Sequence, residues 1–503
     1  MMIRRSIRGT FFMGEKDQKS MEGYYDGGIQ CVNTRDQDYV DDVNLCIESE
    51  EDLLIVDEIF TKFEDLSGAI LNRDYKTKIM GIGEWVGKVD WCLPWIKVEP
   101  SLRIFGIIFH PTYSEILEDN WKKAVEGFSD CVLGWKMRAL DTIFQRVEVL
   151  KTFALPKLWY KAQLLPLPGK VASQLEEKIR NFVWQGKLEK PAYVEMCNMV
   201  EDGGLGLPCV RSKADSLLLK QTLRMLEDKN ADHHSHLRFW LGSFMGNWGD
   251  LNPWGQPNAK RSGIVVDGPL RKESALTPHY EKLLTELKYG EKNEYFYDGN
   301  IRQVTAKMLY KLNTTTFTPP AITYKRNVPD WKLVWNRVGS LMMEPRGREI
   351  SYMVVNNVYP TQERLNRINM DKAPDKRRVW TPICQNCKQG VVEDSQHMFM
   401  ECDRVKEGWL WVRRRIQTLL VDMQGLSNYE LLMLTFPKEV VENEVVWLIG
   451  QWLQMVHDEV VVKGRNMGDQ LVRGHFRYKY LESLTMKMPQ LNHIQDVTVI
   501  DPG

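Results

Sequence analysis

Four residues late in the chain have the types and spacing that hold a metal ion. In the stretch CQNCKQGVVEDSQHMFMEC, Cys384 and Cys387 are separated by two residues, and Cys402 follows His397 with four residues between them. Three thiolates and one imidazole complete a tetrahedral Zn2+ shell and leave no position for water, so the spacing points to structural rather than catalytic zinc. The alternative reading is four reduced residues in a core. A second set of ligand types stands near the start, where YVDD places Asp41 and Asp42 side by side at the foot of an alternating apolar run. On those four letters alone an acidic turn between two strands is the plainer reading, because Asp is common in turns. Asp232, His233, His234 and His236 form a third set. Consecutive histidines seldom converge on one point, and a solvated helix end suits them better. The glycines of MGIGEWVG lack dinucleotide-binding spacing and read as a turn after a strand.

These residues need elements to position them. After Asp42, the alternation of Val43, Leu45 and Ile47 with Asn44, Cys46 and Glu48 has the period of a half-buried strand. Ser49 to Asp52 then reads as a capping box, and Leu53, Val56, Phe60 and Phe63 recur at helical spacing until Gly68. KTKIMGIG and SLRIFGIIFH read as two further short strands, closing an α+β unit near Pro111. From Trp121 to about Leu226 the pattern is helical. Asp141 is placed to cap a helix bearing Ile143, Val147, Leu150 and Ala154, with Pro156 closing it. A further helix runs through Leu175, Ile179 and Val183 to Gly186, and the turn EDGGLGLP precedes another. Between about Asp228 and Thr318 the texture loosens into a Gly-, Pro- and Asn-rich connector. A second compact, mostly helical unit runs from Tyr324 to about Arg473, and the last residues read as a frayed tail. The expected class is therefore α+β, mostly helical.

A chain of 503 residues exceeds the size of one hydrophobic core, so two or three domains are expected. Lys plus Arg and Asp plus Glu both number 67, and a formal charge of zero leaves nucleic-acid binding to local patches. One such patch precedes the cysteines: Lys325, Arg326, Lys332, Arg337, Arg346, Arg348, Arg364, Arg367, Lys376, Arg377 and Arg378, interleaved with Tyr324, Trp331 and Trp335. It could track a phosphate backbone and stack on unpaired bases, or be a helical surface over buried tryptophans. The run Arg413 to Arg415 reads as a solvated helical face. Nine cysteines without a leader-like N-terminus argue for a reducing compartment, and no apolar run reaches the ~18 residues of a membrane span. The expectation is an intracellular protein of nucleus or cytoplasm, with no membrane partner.

The order of the segments carries more than any one of them. YVDD resembles the catalytic turn of reverse transcriptases, SGAILNRDYKTKIMG their helix exit and lysine-bearing motif, and IFGIIFH their primer-grip hairpin. GWKMRALDTIFQRVEVLKTFALPKLWY, PLPGKVASQLEEKIRNFVWQGK and DGGLGLP resemble the thumb of non-LTR, LINE-type retrotransposon enzymes. The cysteine stretch, with WKLVWNRV before it and Trp409 after it, resembles the zinc-binding module downstream of such enzymes. The resemblance implies a partial palm over residues 1–115, a helical thumb over 116–228, a linker over 229–320, a zinc-binding module over 321–473 and a tail over 474–503. It implies RNA-directed DNA polymerisation, in which two divalent metals about 4 Å apart need converging carboxylates. Asp41 and Asp42 would serve Mg2+ only where the site is completed, and Lys76 would sit near the leaving phosphate. Phe105, Gly106 and His110 would hold the primer. Arg138, Arg146, Lys151, Lys157 and Lys161 would face the template-primer duplex. Arg346, Arg348, Arg377 and Arg378 of the basic patch are expected to bind nucleic acid as well, the partner being RNA, DNA or an RNA–DNA hybrid. The family's upstream Asp motif has no counterpart in the residues before Tyr39, and VNTRDQD is polar where the family has an apolar strand. The expected function is thus a fragment of a reverse transcriptase, lacking the N-terminal half of the polyprotein and inactive alone. The alternative is a non-catalytic zinc-containing nucleic-acid-binding protein derived from such an element.

Overall fold

A computed structural model describes residues 36–39, 42–47, 49–73, 77–138, 140–186, 191–227, 279, 281–283, 285, 304–314, 330–419, 425–437 and 442–485. Among the described residues helix predominates and strand is confined to short pairs, the mostly helical α+β class read from the sequence. The chain divides into two compact units. The first comprises Met1–Asp130, Leu155–Gln174 and Val210–Thr315; the second comprises Cys131–Ala154, Leu175–Cys209 and Thr316–Gly503.

In the first unit, β1 (Asp36–Tyr39) and β2 (Asp42–Leu45) pair antiparallel, with Tyr39 opposite Asp42. Asp36–Asp38, the end of the polar stretch before YVDD, thus lie in a strand, since backbone pairing does not require apolar side chains. Helix α1 (Glu50–Ser67) starts where the Ser49 hydroxyl accepts from the Asp52 amide, and ends at Gly68 in the left-handed region. Strands β3 (Lys78–Ile79) and β4 (Lys97–Val98) pair in parallel. Leu53, Trp91 and Leu93 form a small core with Ile79 and Trp85. The hairpin of β5 (Leu102–Ile104) and β6 (Ile107–Phe109) turns through Phe105 and Gly106, both at positive φ, which is the primed-turn geometry that matches strand twist. Helix α2 (Tyr113–Lys136) buries Trp121, whose indole donates to the Pro166 carbonyl at 2.9 Å.

In the second unit, α3 (Ile143–Val149) is capped by Thr142, not by the neighbouring Asp141. The Thr142 hydroxyl accepts from the Gln145 amide and the Gln145 side chain accepts from the Thr142 amide. A π-turn over Leu150–Ala154 follows and the run stops just before Pro156, which also opens the next helix, α4 (Pro156–Ala162), in the first unit. The first turn has no intrahelical use for the missing N–H, and the fixed φ of proline is already helical. Helices α5 (Gly169–Trp184) and α6 (Tyr193–Cys197) lead into the DGGLGLP turn. There Gly203 sits at φ 83, and a Cβ would lie 2.5 Å from the Trp335 ring, so only glycine lets the turn approach that indole. Helix α7 (Val210–Glu227) belongs to the first unit, where α8 (Ala306–Thr314) packs on it.

The remainder of the second unit is helical: α9 (Trp331–Val338), α10 (Pro345–Val355), α11 (Gln362–Met370), α12 (Lys406–Leu419), α13 (Asn428–Leu432), α14 (Glu442–Val456) and α15 (Asp469–Thr485). Helix α14 is buried nearly all round and forms the axis of this core, against which α10 and α12 pack with Trp335, Trp409, Trp452, Phe399 and Phe476 filling the interior. No described helix is long and apolar enough to cross a membrane.

Candidate metal centre

The ligand atoms of Cys384, Cys387, His397 and Cys402 all lie within 4.8 Å of one another. Cys384 and Cys402 Sγ are 3.9 Å apart, and Cys387 Sγ lies 3.4 Å from His397 Nε2. A tetrahedron built on a Zn–S bond of ~2.3 Å has edges of about 3.8 Å, shortening where nitrogen replaces sulfur. The donor set and its spacing therefore fit Zn2+ with no vertex left over.

Local backbone bonds build this arrangement. The Cys384 amide donates to the Val391 carbonyl and the Glu393 amide to the Pro382 carbonyl, around a bridge between Ile383 and Val392. Gly390 at φ 63 lets the chain return, and the Asn386 amide points at Cys384 Sγ at 3.4 Å. The other two ligands frame a π-turn over His397–Glu401, in which the Cys402 amide donates to the His397 carbonyl and Asp394 accepts from the His397 amide at 2.7 Å. The turn is anchored in the core where the Trp452 indole donates to the Phe399 carbonyl at 2.8 Å. Glu393, 2% exposed, accepts from the Gln362 amide at the start of α11 and from Asn386, joining the cysteine knuckle to that helix. Burial pushes the Cys384 thiol well above the ordinary range and raises that of Cys402, so a cation is what would deprotonate them.

Of the polymerase-like residues, Asp41 and Lys76 lie outside the described residues. Asp42 opens β2, and its backbone place is all that is described. The rival set at 232–236 also lies outside. Phe105 and Gly106 form the tip of the β5–β6 hairpin, with the Phe105 ring 43% exposed and its carbonyl accepting from the Tyr160 hydroxyl. Asn120, fully buried, holds β6 by accepting from the Ile108 amide and donating to its carbonyl. His110 Nε2 lies 2.8 Å from Asp119 Oδ2, so that ring is oriented by a carboxylate. Beside the hairpin, burial and the charges of Arg103 and Lys123 depress the pKa of Lys161, whose ammonium donates to the Asn120 carbonyl. Arg103 and Lys123 belong to this cationic cluster, and nothing in their sequence surroundings sets them apart from other surface residues.

The basic residues separate into exposed and internal ones. Arg138 is exposed and lies over the Trp135 ring at 4.4 Å; Lys157, Arg377 and Arg378 are exposed. Lys151 is exposed and pairs with Glu148 at 3.3 Å. Arg146 is different. It is 3% exposed, and its guanidinium donates to the Val183 and Leu140 carbonyls and pairs with buried Glu349, so it offers nothing to a phosphate. Arg346 is likewise committed, with one guanidinium nitrogen on Glu349 at 2.5 Å and the other 2.9 Å from His457 Nε2. Half-buried Arg348 lies over the Phe144 ring at 4.4 Å. Trp335 is buried and stacks on Trp331 at 5.7 Å, which places it in the core rather than on a base-stacking surface.

Residues 317–409, which include all four ligands, match the family model described as zinc-binding in reverse transcriptase. The chain is also 24% identical over 121 residues to the "Putative ribonuclease H protein" of Arabidopsis thaliana. That stretch is 23% of this chain and 19% of the relative, so the chain spans about a fifth of the length of the protein it matches. The matched segment and the Cys3His geometry together support Zn2+ as the ligand of this site.

Proposed function

We propose that this chain is the palm-end, thumb and zinc-module part of a non-LTR, LINE-type reverse transcriptase, and that it holds RNA, DNA or an RNA–DNA hybrid. The observation that carries this reading is the match of residues 317–409 to a reverse-transcriptase zinc-binding segment whose four ligand atoms converge on one point. In this reading the zinc is structural: when bound it cross-links the knuckle to the turn at the head of α12, and no reaction passes through it. The exposed Phe105–Gly106 tip, with Arg103, Lys123 and Lys161 beside it, would hold one strand by its backbone. Lys157 would extend that contact, and Arg138 would offer a phosphate contact of its own in the second unit.

Binding of this kind weakens steeply with salt, by a log–log slope of roughly −0.9 per phosphate contact for duplex DNA or −0.7 for single strands. Titrating the protein with primed RNA template from low to moderate salt should show that slope, and neutralising Arg138 and Lys157 together should flatten it. Absence of binding at low salt would remove the reading. For polymerisation, the 503-residue chain taken by itself carries no counterpart of the upstream Asp motif, so a two-metal carboxylate set is incomplete. Primer extension on an RNA template with Mg2+ or Mn2+ is expected to give no incorporation above that of Asp41→Ala. Incorporation that disappears in Asp41→Ala would show that this chain completes a polymerase site.

A further inference from the structure

The segment leading into the zinc cluster presents an arrangement that the readings above leave unused. After the short turn at Pro374–Lys376 the backbone is extended at Arg377, and the residues from Ala373 to Thr381 are all exposed. Val379 is 106% and Trp380 41% exposed, in a unit whose other large aromatic side chains include several that are fully buried. A tryptophan costs most to leave in water, so an exposed one invites an occupant. The surrounding charge states what kind. Lys372, Lys376, Arg377 and Arg378 stand against Asp375 alone within the same seven residues. Among the described residues, none accepts from the Arg378 guanidinium.

The segment is also held in place. Asn369, 6% exposed on α11, donates to the Arg378 carbonyl at 2.7 Å and accepts from its amide at 2.9 Å, as a partner strand would. Arg377 Nε donates to the Lys372 carbonyl at 2.9 Å, which fixes that side chain along the turn. A few residues on, the chain enters the bridge that carries Cys384. One end is thus tied to α11 and the other to the metal cluster, so the basic and aromatic side chains are ordered before any ligand arrives.

We propose that Arg377, Arg378 and Trp380 form a binding strip for single-stranded nucleic acid, in which the arginines pair with consecutive phosphates and Trp380 stacks on an unpaired base. Charge complementarity selects a polyanion, and the exposed indole selects one whose bases are free, because a base within a duplex has no open face to offer. This rests on the proposed nucleic-acid-holding function and adds to it the strandedness of the ligand and the residue that reads it.

The test uses the full-length protein and three probes of equal length: an oligouridylate, the same sugar-phosphate chain without bases, and a blunt RNA duplex. Trp380→Ala should weaken oligouridylate binding roughly tenfold, the lower part of the range for one base–aromatic stack, and leave the abasic probe unchanged. Trp380→Phe should retain most of the affinity. Arg377→Gln with Arg378→Gln should weaken all three probes and reduce the salt dependence. Trp380 is exposed, so melting temperatures should match the parent protein. Equal effects of Trp380→Ala on the uridylate and abasic probes, or no effect on either, would overturn the inference while leaving general binding intact. Unchanged RNA affinity with a changed oligomeric state would make the strip an interface between copies and would also overturn it. No binding of any probe by the parent protein would take down both this inference and the function it rests on.

Discussion

Cys387→Ser is expected to lose the zinc and, with it, the folded state of the segment around Glu393 and α12. The parent protein should carry one zinc per chain. Closed thiolate-rich sites contribute ~10–16 kcal/mol of binding free energy to folding, comparable to or larger than the net stability of a domain. With one ligand gone, the buried Cys384 and Cys402 thiols favour their protonated forms, since burial raises both and no cation remains to oppose it. Three protein bonds depend on the cluster staying closed: the Gln362 amide and Asn386 side chain on Glu393, and the Trp452 indole on the Phe399 carbonyl. Metal analysis and thermal melting check this together. Cys46→Ser, at an exposed cysteine remote in sequence, serves as the control and should leave both unchanged. A full equivalent of zinc in Cys387→Ser with an unaltered melting temperature would sink the assignment.

Arg337→Ala should be the second large effect, though Arg337 reads from sequence as one more member of a basic patch. Its side chain is 1% exposed. Nε lies 2.7 Å from Glu442 Oε1, Nη1 donates to the Leu434 and Phe436 carbonyls, Nη2 donates to the Pro437 carbonyl at 3.0 Å, and the guanidinium lies 3.8 Å from the Phe436 ring centre. The planar five-donor fork meets these acceptors at once, and removing it leaves three carbonyls and a carboxylate without their donor. Breaking a buried ion pair from one side costs ~3–5 kcal/mol, so the urea midpoint should fall sharply. Arg337→Lys keeps the charge but has a single point of donation, and should fall in between. A change of less than about 1 kcal/mol in Arg337→Ala would show that these bonds are replaced by water at little cost.

What was legible in the sequence is what local periodicity and spacing encode. The mostly helical α+β class, the Ser49 cap with its Gly68 stop, and the convergence of Cys384, Cys387, His397 and Cys402 each depend on residues close together in the chain. Thr142 displaced Asp141 as a cap because two adjacent residues can both supply the oxygen, and only backbone direction decides between them. The fate of the arginines was illegible for a different reason. Arg146 and Arg346 share Glu349, which is 203 residues from the first and three from the second, and sequence shows charge without showing which charges meet. The role of Trp380 is illegible for the converse reason: it differs from buried Trp335 only in its surroundings.

The short span of the zinc ligands has a kinetic meaning. All four lie between Cys384 and Cys402, and the backbone bonds that shape the knuckle come from the same stretch. The entropy cost of closing a loop grows only with the logarithm of its length, so this is among the cheapest closures available to the second unit. Its anchor is the opposite: the Trp452 indole reaches the Phe399 carbonyl across 53 residues. Contacts of low sequence separation form ahead of those of high separation. Metal capture therefore belongs to the early, local phase of folding, and a chain emerging from the ribosome holds a complete ligand set before Trp452 has been added.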